Sequence, residues 1–233
     1  MATKYLVLDT ETAGDVRTSP TVYDVAWSIT DSKGATYIER RYLVSEVYGD
    51  TELMNTAYYA EKLPTEYAPL VAAGTLKVLP LQAIRLQLTL DMLEHRVTDI
   101  YAYNAGFDKK ALDYTIRKLS DGYVKEFLPG VQWFCIWGYA QDVVAVSQKY
   151  VTWCINMGYI SEKGTPMTSA EVMYRYITRN TSFVESHTAL EDVRIESEIM
   201  RYVRKHHGCK KGTWASWSRW QKLQELKRQI LAK

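Results

Sequence analysis

Apolar positions crowd the start of the chain, where Lys4-Tyr-Leu-Val-Leu-Asp9 reads as a buried strand that ends on an acid. Thr21 to Thr30 (TVYDVAWSIT) alternates in the manner of a second strand, Asp31-Ser-Lys-Gly34 is a turn, and Ala35 to Val44 is a third strand. These segments predict an antiparallel meander over the first fifty residues. Residues 45 to 79 hold several Tyr and Pro residues without a clean period and read as an irregular excursion with one or two short helices. From Pro80 to Glu94, Leu81, Ile84, Leu88, Leu90 and Met92 or Leu93 form a helical stripe, with Pro at the N-terminal edge where its missing N–H is harmless. Ile100 to Tyr103 is a short strand, Asn104-Ala-Gly106 a turn, and Phe107 to Leu119 a helix. A further strand is expected at Val131 to Ile136, followed by mostly helical chain. A meander followed by helix, strand and helix predicts an α/β fold with a mixed sheet covered by helices.

Two later helix starts carry the capping-box pattern, Thr168-x-x-Glu171 and Thr188-x-x-Glu191, in which Thr and Glu side chains satisfy each other's orphan N–H groups. With Thr188 as the cap, His187 lies just outside the helix and Asp192 in its first turn. On a continuous helix, two residues five apart diverge by about 140°, so both reach one place only if His187 is on a loop.

Composition narrows the class. The 233 residues, 47% hydrophobic and 24% charged, suit one large globular domain. The longest stretch without a charged side chain, Phe127 to Gln141, is too short to span a membrane, which makes a soluble, cytoplasmic protein the expectation. Cys135, Cys154 and Cys209 have neither Cys-x-x-Cys spacing nor a disulfide framework and read as reduced and structural. From Arg201 onward there are ten Lys/Arg and one acid, Glu225; this net +9 against the chain's +2 leaves −7 for residues 1–200. The only convincing linker surrounds Gly208 to Gly212. Beyond it, Trp214, Trp217, Trp220, Leu223, Leu226 and Ile230 make an amphipathic basic helix. Its aromatic stripe is expected to pack on the domain, leaving the basic face available to phosphates.

Three polar clusters fall at predicted element ends. Asp9-Thr-Glu11 puts two carboxylates on one face of a strand, where they stay ionised together only with positive charge between them, such as a hard divalent cation. A strand running into a polar loop would look the same. Asp108 enters a helix after Asn104-Ala-Gly-Phe and could equally complement the helix dipole. His187-x-x-x-x-Asp192 is the third cluster; His187 taken alone fits a surface position and Asp192 a first-turn charge. The chain has no Gly-x-Ser-x-Gly elbow, Walker loop, Gly-x-Gly-x-x-Gly fingerprint or His-Glu-x-x-His pair. His95, His206 and His207 have no metal-like partners, and Ser186-His187 has no acid at triad spacing.

Taken together and in this order, the clusters resemble the DnaQ-like exonucleases, the DEDDh branch of the ribonuclease-H-like superfamily. The match covers Asp9, Glu11 and Thr12; Asn104, Phe107 and Asp108; and His187, Ala189 and Asp192, over residues 4 to about 203. The long middle insertions and the run Thr168 to Tyr176 resemble phage-encoded members. Tyr103 stands where the family often has His before Asn104, a departure that bears on how the end nucleotide is placed.

The resemblance implies a ribonuclease-H-like domain over residues 1–203, with residues 204–233 packed on it. It also implies 3′-to-5′ hydrolysis of DNA or RNA from a free 3′ end, releasing nucleoside 5′-monophosphates. Two Mg²⁺ or Mn²⁺ ions would be held by Asp9, Glu11, Asp108 and Asp192, with His187 as general base and Thr12, Asn104 and Phe107 placing the terminal nucleotide. Physics favours the set, since four carboxylates must be neutralised before an anionic phosphodiester can approach. An endonuclease on a similar metal site and a binding or polymerase-associated module are the alternative readings. A homodimer is compatible with the sequence, a membrane partner is not expected, and the choice between DNA and RNA is open.

Overall fold

The computed structural model describes residues 3–207 together with 228–229. The Trp-rich stripe and Cys209 lie outside the described residues. The meander forms as expected: β1 (Lys4–Ala13), β2 (Thr21–Asp31) and β3 (Thr36–Val44) pair antiparallel in sequence. The Asp31 carboxylate closes the second turn by accepting the N–H groups of Lys33 and Ala35.

The excursion is richer than its sequence suggests. It holds α1 (Ser45–Tyr48), α2 (Thr51–Met54), a π-helical turn over Leu63–Tyr67, α3 (Ala68–Ala72) and a strand, β4 (Lys77–Leu79), parallel to β3. After α4 (Leu81–His95), β5 (Asp99–Ala102) pairs parallel to β1, and α5 (Ala105–Leu119) returns to β6 (Gln132–Cys135), parallel to β5. The six strands run in the order β4-β3-β2-β1-β5-β6. A π-helical turn at Gln141–Ala145 separates α6 (Ile136–Ala140) from α7 (Gln148–Met157), and α8 (Ala170–Thr178) and α9 (Ala189–His207) complete the described chain. α9 runs unbroken through His207. No helix among the described residues is long and apolar enough to cross a membrane.

β1 and β2 lie mid-sheet and are buried along most of their length, so period 2 sorts their side chains between two cores. Leu6 and Leu8 pack with Ile84, Leu88, Leu112 and Ile116 of α4 and α5. Tyr5 and Val7 join Val193, Ile199 and Met200 of α9, with Ile136 and Tyr139 of α6 and Met173 of α8. This alternation assigns each face of β1 to a different helix layer, which decides where the residues of its polar end are delivered.

Two local readings need correction. On α4 the buried face is Leu81, Ile84, Leu88, Asp91 and Met92, while Leu90 and Leu93 are exposed. Asp91 is drawn inward because its carboxylate accepts the Trp27 indole N–H at 2.9 Å, the Gln87 amide at 2.9 Å and Arg40 at 3.3 Å. Asp91→Ala would leave a buried indole N–H unpaired and is expected to lower stability by about 1–3 kcal/mol, read as a lower urea midpoint at unchanged m-value. At α8 the cap is Ser169, whose Oγ accepts the Val172 N–H, rather than Thr168. Thr168 Oγ instead accepts Trp137 Nε1 and Gln141 Nε2, and Glu171 pairs with Arg175. Thr188 does precede α9, although Glu191 pairs with Arg194.

Candidate active site

The polar end of β1 places Asp9 and Glu11 on the α9 face, and Thr10 between them on the α5 face, continuing the alternation of the core. From α9, Asp192 comes toward the two strand acids. Carboxylate oxygens of Asp9, Glu11 and Asp192 all lie within 4.8 Å of one another, and Asp192 Oδ1 is buried with no hydrogen-bond partner. On the other face, Thr10 Oγ1 donates to Asp108 Oδ1 at 2.9 Å, fixing the buried Asp108 at the start of α5. Asn104, just ahead of α5, is left-handed (φ 70°); this residue rather than Gly106 makes the turn, because Gly106 is already helical. Asn tolerates that region better than most residues.

His187 stands outside α9, as its sequence position predicts, in a left-handed conformation (φ 49°). A ring nitrogen of His187 and carboxylate oxygens of Asp192 and Glu185 fall within 4.8 Å of one another, so Asp192 belongs to both clusters. Glu185 Oε2 is 3.6 Å from His187 Nδ1, beyond hydrogen-bond length. Thr12 is half-buried at the end of β1, while Phe107 is half-buried and Asn104 exposed ahead of Asp108.

Electrostatically the site is overloaded with negative charge. Burial, followed by the charges of Glu196 and Asp108, holds the Asp9 carboxyl well above the usual range. Burial and the Asp192 charge raise Glu11 to about 9, and burial with Glu185 raises Asp192 to about 8. Asp108 is lifted to about 7 by burial, against the pull of its Thr10 hydrogen bond. Two full charges 4.8 Å apart repel by about 3 kcal/mol at an effective dielectric of 20, which pushes the bare carboxyls toward their protonated forms. Oxygen donors converging this closely, with one buried oxygen lacking any partner, fit a hard divalent cation. His187 moves the opposite way: burial first, and then the Lys62 charge, lower its pKa and favour the neutral ring.

No protein-family model and no curated protein matches the sequence. Solved structures do match. E. coli exonuclease I in complex with a dT13 oligonucleotide superposes with a TM-score of 0.56 at 16% identity, over 87% of this chain and 41% of that one. Exonuclease I from Methylocaldum szegediense gives 0.57 at 19% identity, over 88% and 41%. The nuclease domain of 3′hExo, a DEDDh family member bound to rAMP, gives 0.58 at 8% identity, over 91% of this chain and 97% of that one. The chain shares its fold with these exonucleases. At these identities the likeness is one of fold, and the chain spans about two-fifths of the exonuclease I chains it matches.

Several residues at the site carry no local sequence signal. Asp24, opposite Glu11 across the β1–β2 ladder, is fully buried but engaged by Arg41 through both Nε and Nη2, and by the Tyr67 hydroxyl. Arg41 thereby separates a neutralised acid from the unpaired ones beside it. Glu196, one helical turn beyond Asp192 and so on the same inward face of α9, is buried, and its carboxyl is held well above the usual range by burial and Asp108. Its Oε2 accepts the Tyr103 N–H at 3.0 Å, tying α9 to the turn that sets Asn104 and Asp108. The spacing of four from Asp192 is the one clue the sequence offers. Glu196→Gln, which keeps an acceptor for that N–H, is expected to retain turnover within about threefold, whereas Glu196→Ala loses about 10–100-fold. Equal losses in both, measured with the divalent cation saturating, would instead make the charge of Glu196 the essential feature.

Proposed function

We propose that this chain is a metal-dependent 3′-to-5′ exonuclease acting on DNA or RNA with a free 3′ end and releasing nucleoside 5′-monophosphates. The observation that carries this reading is the convergence of Asp9, Glu11 and Asp192 within 4.8 Å, with His187 beside Asp192. The match in fold to exonucleases supports it.

Asp9, Glu11, Asp108 and Asp192 would hold two divalent cations, Mg²⁺ or Mn²⁺. Bound there, these ions would cancel the carboxylate charge and supply Lewis acidity toward the phosphodiester and its leaving oxygen. The protein's own residues do the remainder. Thr10 and the Glu196 tie to Tyr103 keep Asp108 in place from outside the acidic cluster. Neutral His187 accepts the proton of the attacking water, a role suited to a ring whose pKa is lowered below its ordinary value. Asn104 and Phe107, ahead of Asp108, and Thr12 at the strand end line the approach for the terminal nucleotide.

The test follows 5′-labelled single-stranded DNA and RNA of equal sequence with Mg²⁺, with Mn²⁺ and with chelator. Stepwise shortening from the 3′ end, lost with chelator and in Asp9→Ala, is the expected result. Internal cuts would replace this reading with an endonuclease, and no cation-dependent cleavage would leave a nucleic-acid-binding module.

A further inference from the structure

Nothing in the sequence connects the Tyr-rich excursion after β3 with the His187 loop, yet the fold brings them together. Lys62 donates from Nζ to the carbonyl oxygens of both Ser186 and His187, the second at 3.1 Å. The Tyr59 ring stacks on the His187 imidazole, with centroids 4.7 Å apart and planes 12° from parallel. The Lys62 ammonium also lies 4.3 Å from the Tyr59 centroid, and the exposed Tyr58 meets Tyr59 edge-on at 4.8 Å. His187 is thus gripped twice, by its main chain and by its ring.

The grip acts where the chain resists its own conformation. The left-handed backbone of His187 is disfavoured for any residue with a Cβ, and the ring of a loop-borne His is otherwise free to rotate about χ1 and χ2. An ammonium chelated by two successive carbonyls holds the backbone turn, and a near-parallel aromatic face fixes the ring plane. Neither Tyr59 nor Lys62 belongs to the acidic cluster.

We propose that Tyr59 and Lys62 are positioning residues that hold His187 facing Asp192. The proposal rests on His187 being the general base. Both residues lie about 125 positions before His187, so the excursion is the second wall of the catalytic centre.

Two readouts separate failure of this proposal from failure of the proposed activity. The first is the His187 imidazole C–H resonance by NMR, assigned by its loss in His187→Ala. A ring stacked on Tyr59 is shifted upfield by the aromatic current, so Tyr59→Ala should move the signal downfield, while Tyr59→Phe should keep it near its wild-type position. An unmoved signal in folded Tyr59→Ala overturns the proposal whether or not the protein cleaves nucleic acid. The second is a double-mutant cycle on turnover. Tyr59→Ala and Lys62→Met should each lower kcat by about 10–100-fold with little change in KM, Tyr59→Phe should recover most of the rate, and neither change should cost more in a His187→Ala background. An equal loss in that background would mean that Tyr59 or Lys62 acts on the substrate directly, which overturns the positioning role. If the wild type shows no exonuclease activity, the proposed function fails and the NMR shift alone decides whether the clamp exists.

Discussion

Asp192→Asn is expected to lower the rate of 3′ shortening by at least about 10³-fold and, with chelator present, to make the protein more heat-resistant at pH 9. The loss of rate follows from removing the one carboxylate shared by the acidic cluster and the His187 cluster; several kcal/mol of transition-state stabilisation depend on that charge at about 1.4 kcal/mol per tenfold. The gain in stability follows from linkage. Asp192 is raised to about 8 in the folded protein from an ordinary 3.8, so between these values the native state binds more protons than the unfolded chain. Stability is therefore fully present below about pH 4 and is lost as pH rises toward 8. Glu11, raised to about 9, extends the same loss upward. Asparagine carries no charge to bury, and relief of about 1–2 kcal/mol corresponds to a Tm rise of about 2–8 °C for a chain of this size. Thermal unfolding with chelator at pH 5 and pH 9 checks this: the wild type should fall further between the two than the variant. A variant less stable than wild type at pH 9 would show that the acids do not repel one another.

His187→Ala should reduce kcat by about 10²–10⁴-fold, the range for a positioned general base, without weakening cation binding measured by titration calorimetry. The direction expected for the pH dependence follows from the surroundings of His187. Burial and Lys62 lower the His187 pKa, so the neutral, proton-accepting ring persists to more acid pH than an ordinary imidazole, and the acid limb of kcat should lie below pH 6.5. That limb should vanish in His187→Ala. Any acid limb that remains should move with cation concentration, since protons and cations compete for the same carboxylates. A wild-type limb above pH 6.5 would remove His187 from the base role.

The parts of this molecule that could be read from its sequence are those governed by local period. β1, β2 and β3 alternate, and their strands and pairing follow. β4 could not be read: three residues have no period of their own, and Lys77-Val-Leu79 is a strand only because β3 offers a parallel edge. On α4, apolar residues suggested a face that included Leu90, whereas distant Trp27 and Arg40 turn Asp91 inward and leave Leu90 and Leu93 in water. Thr168 looked like a cap until Trp137 and Gln141 claimed its hydroxyl. The same division runs through the site. Asp9, Glu11, Asp108, His187 and Asp192 sit at element ends in a recognisable order. Glu196, Tyr59 and Lys62 owe their positions to how layers stack, and the four-residue step from Asp192 to Glu196 is the one trace of this that the sequence carries.

The left-handed backbone at His187 sets durability against use. Glycine would relieve the steric cost of that φ, about 1 kcal/mol, and would also delete the imidazole. Selection for heat resistance alone would therefore drift toward glycine at this position, while selection for turnover would hold the histidine there at a standing cost in stability. In a library screened only for folding, inactive and hardier sequences should accumulate at position 187.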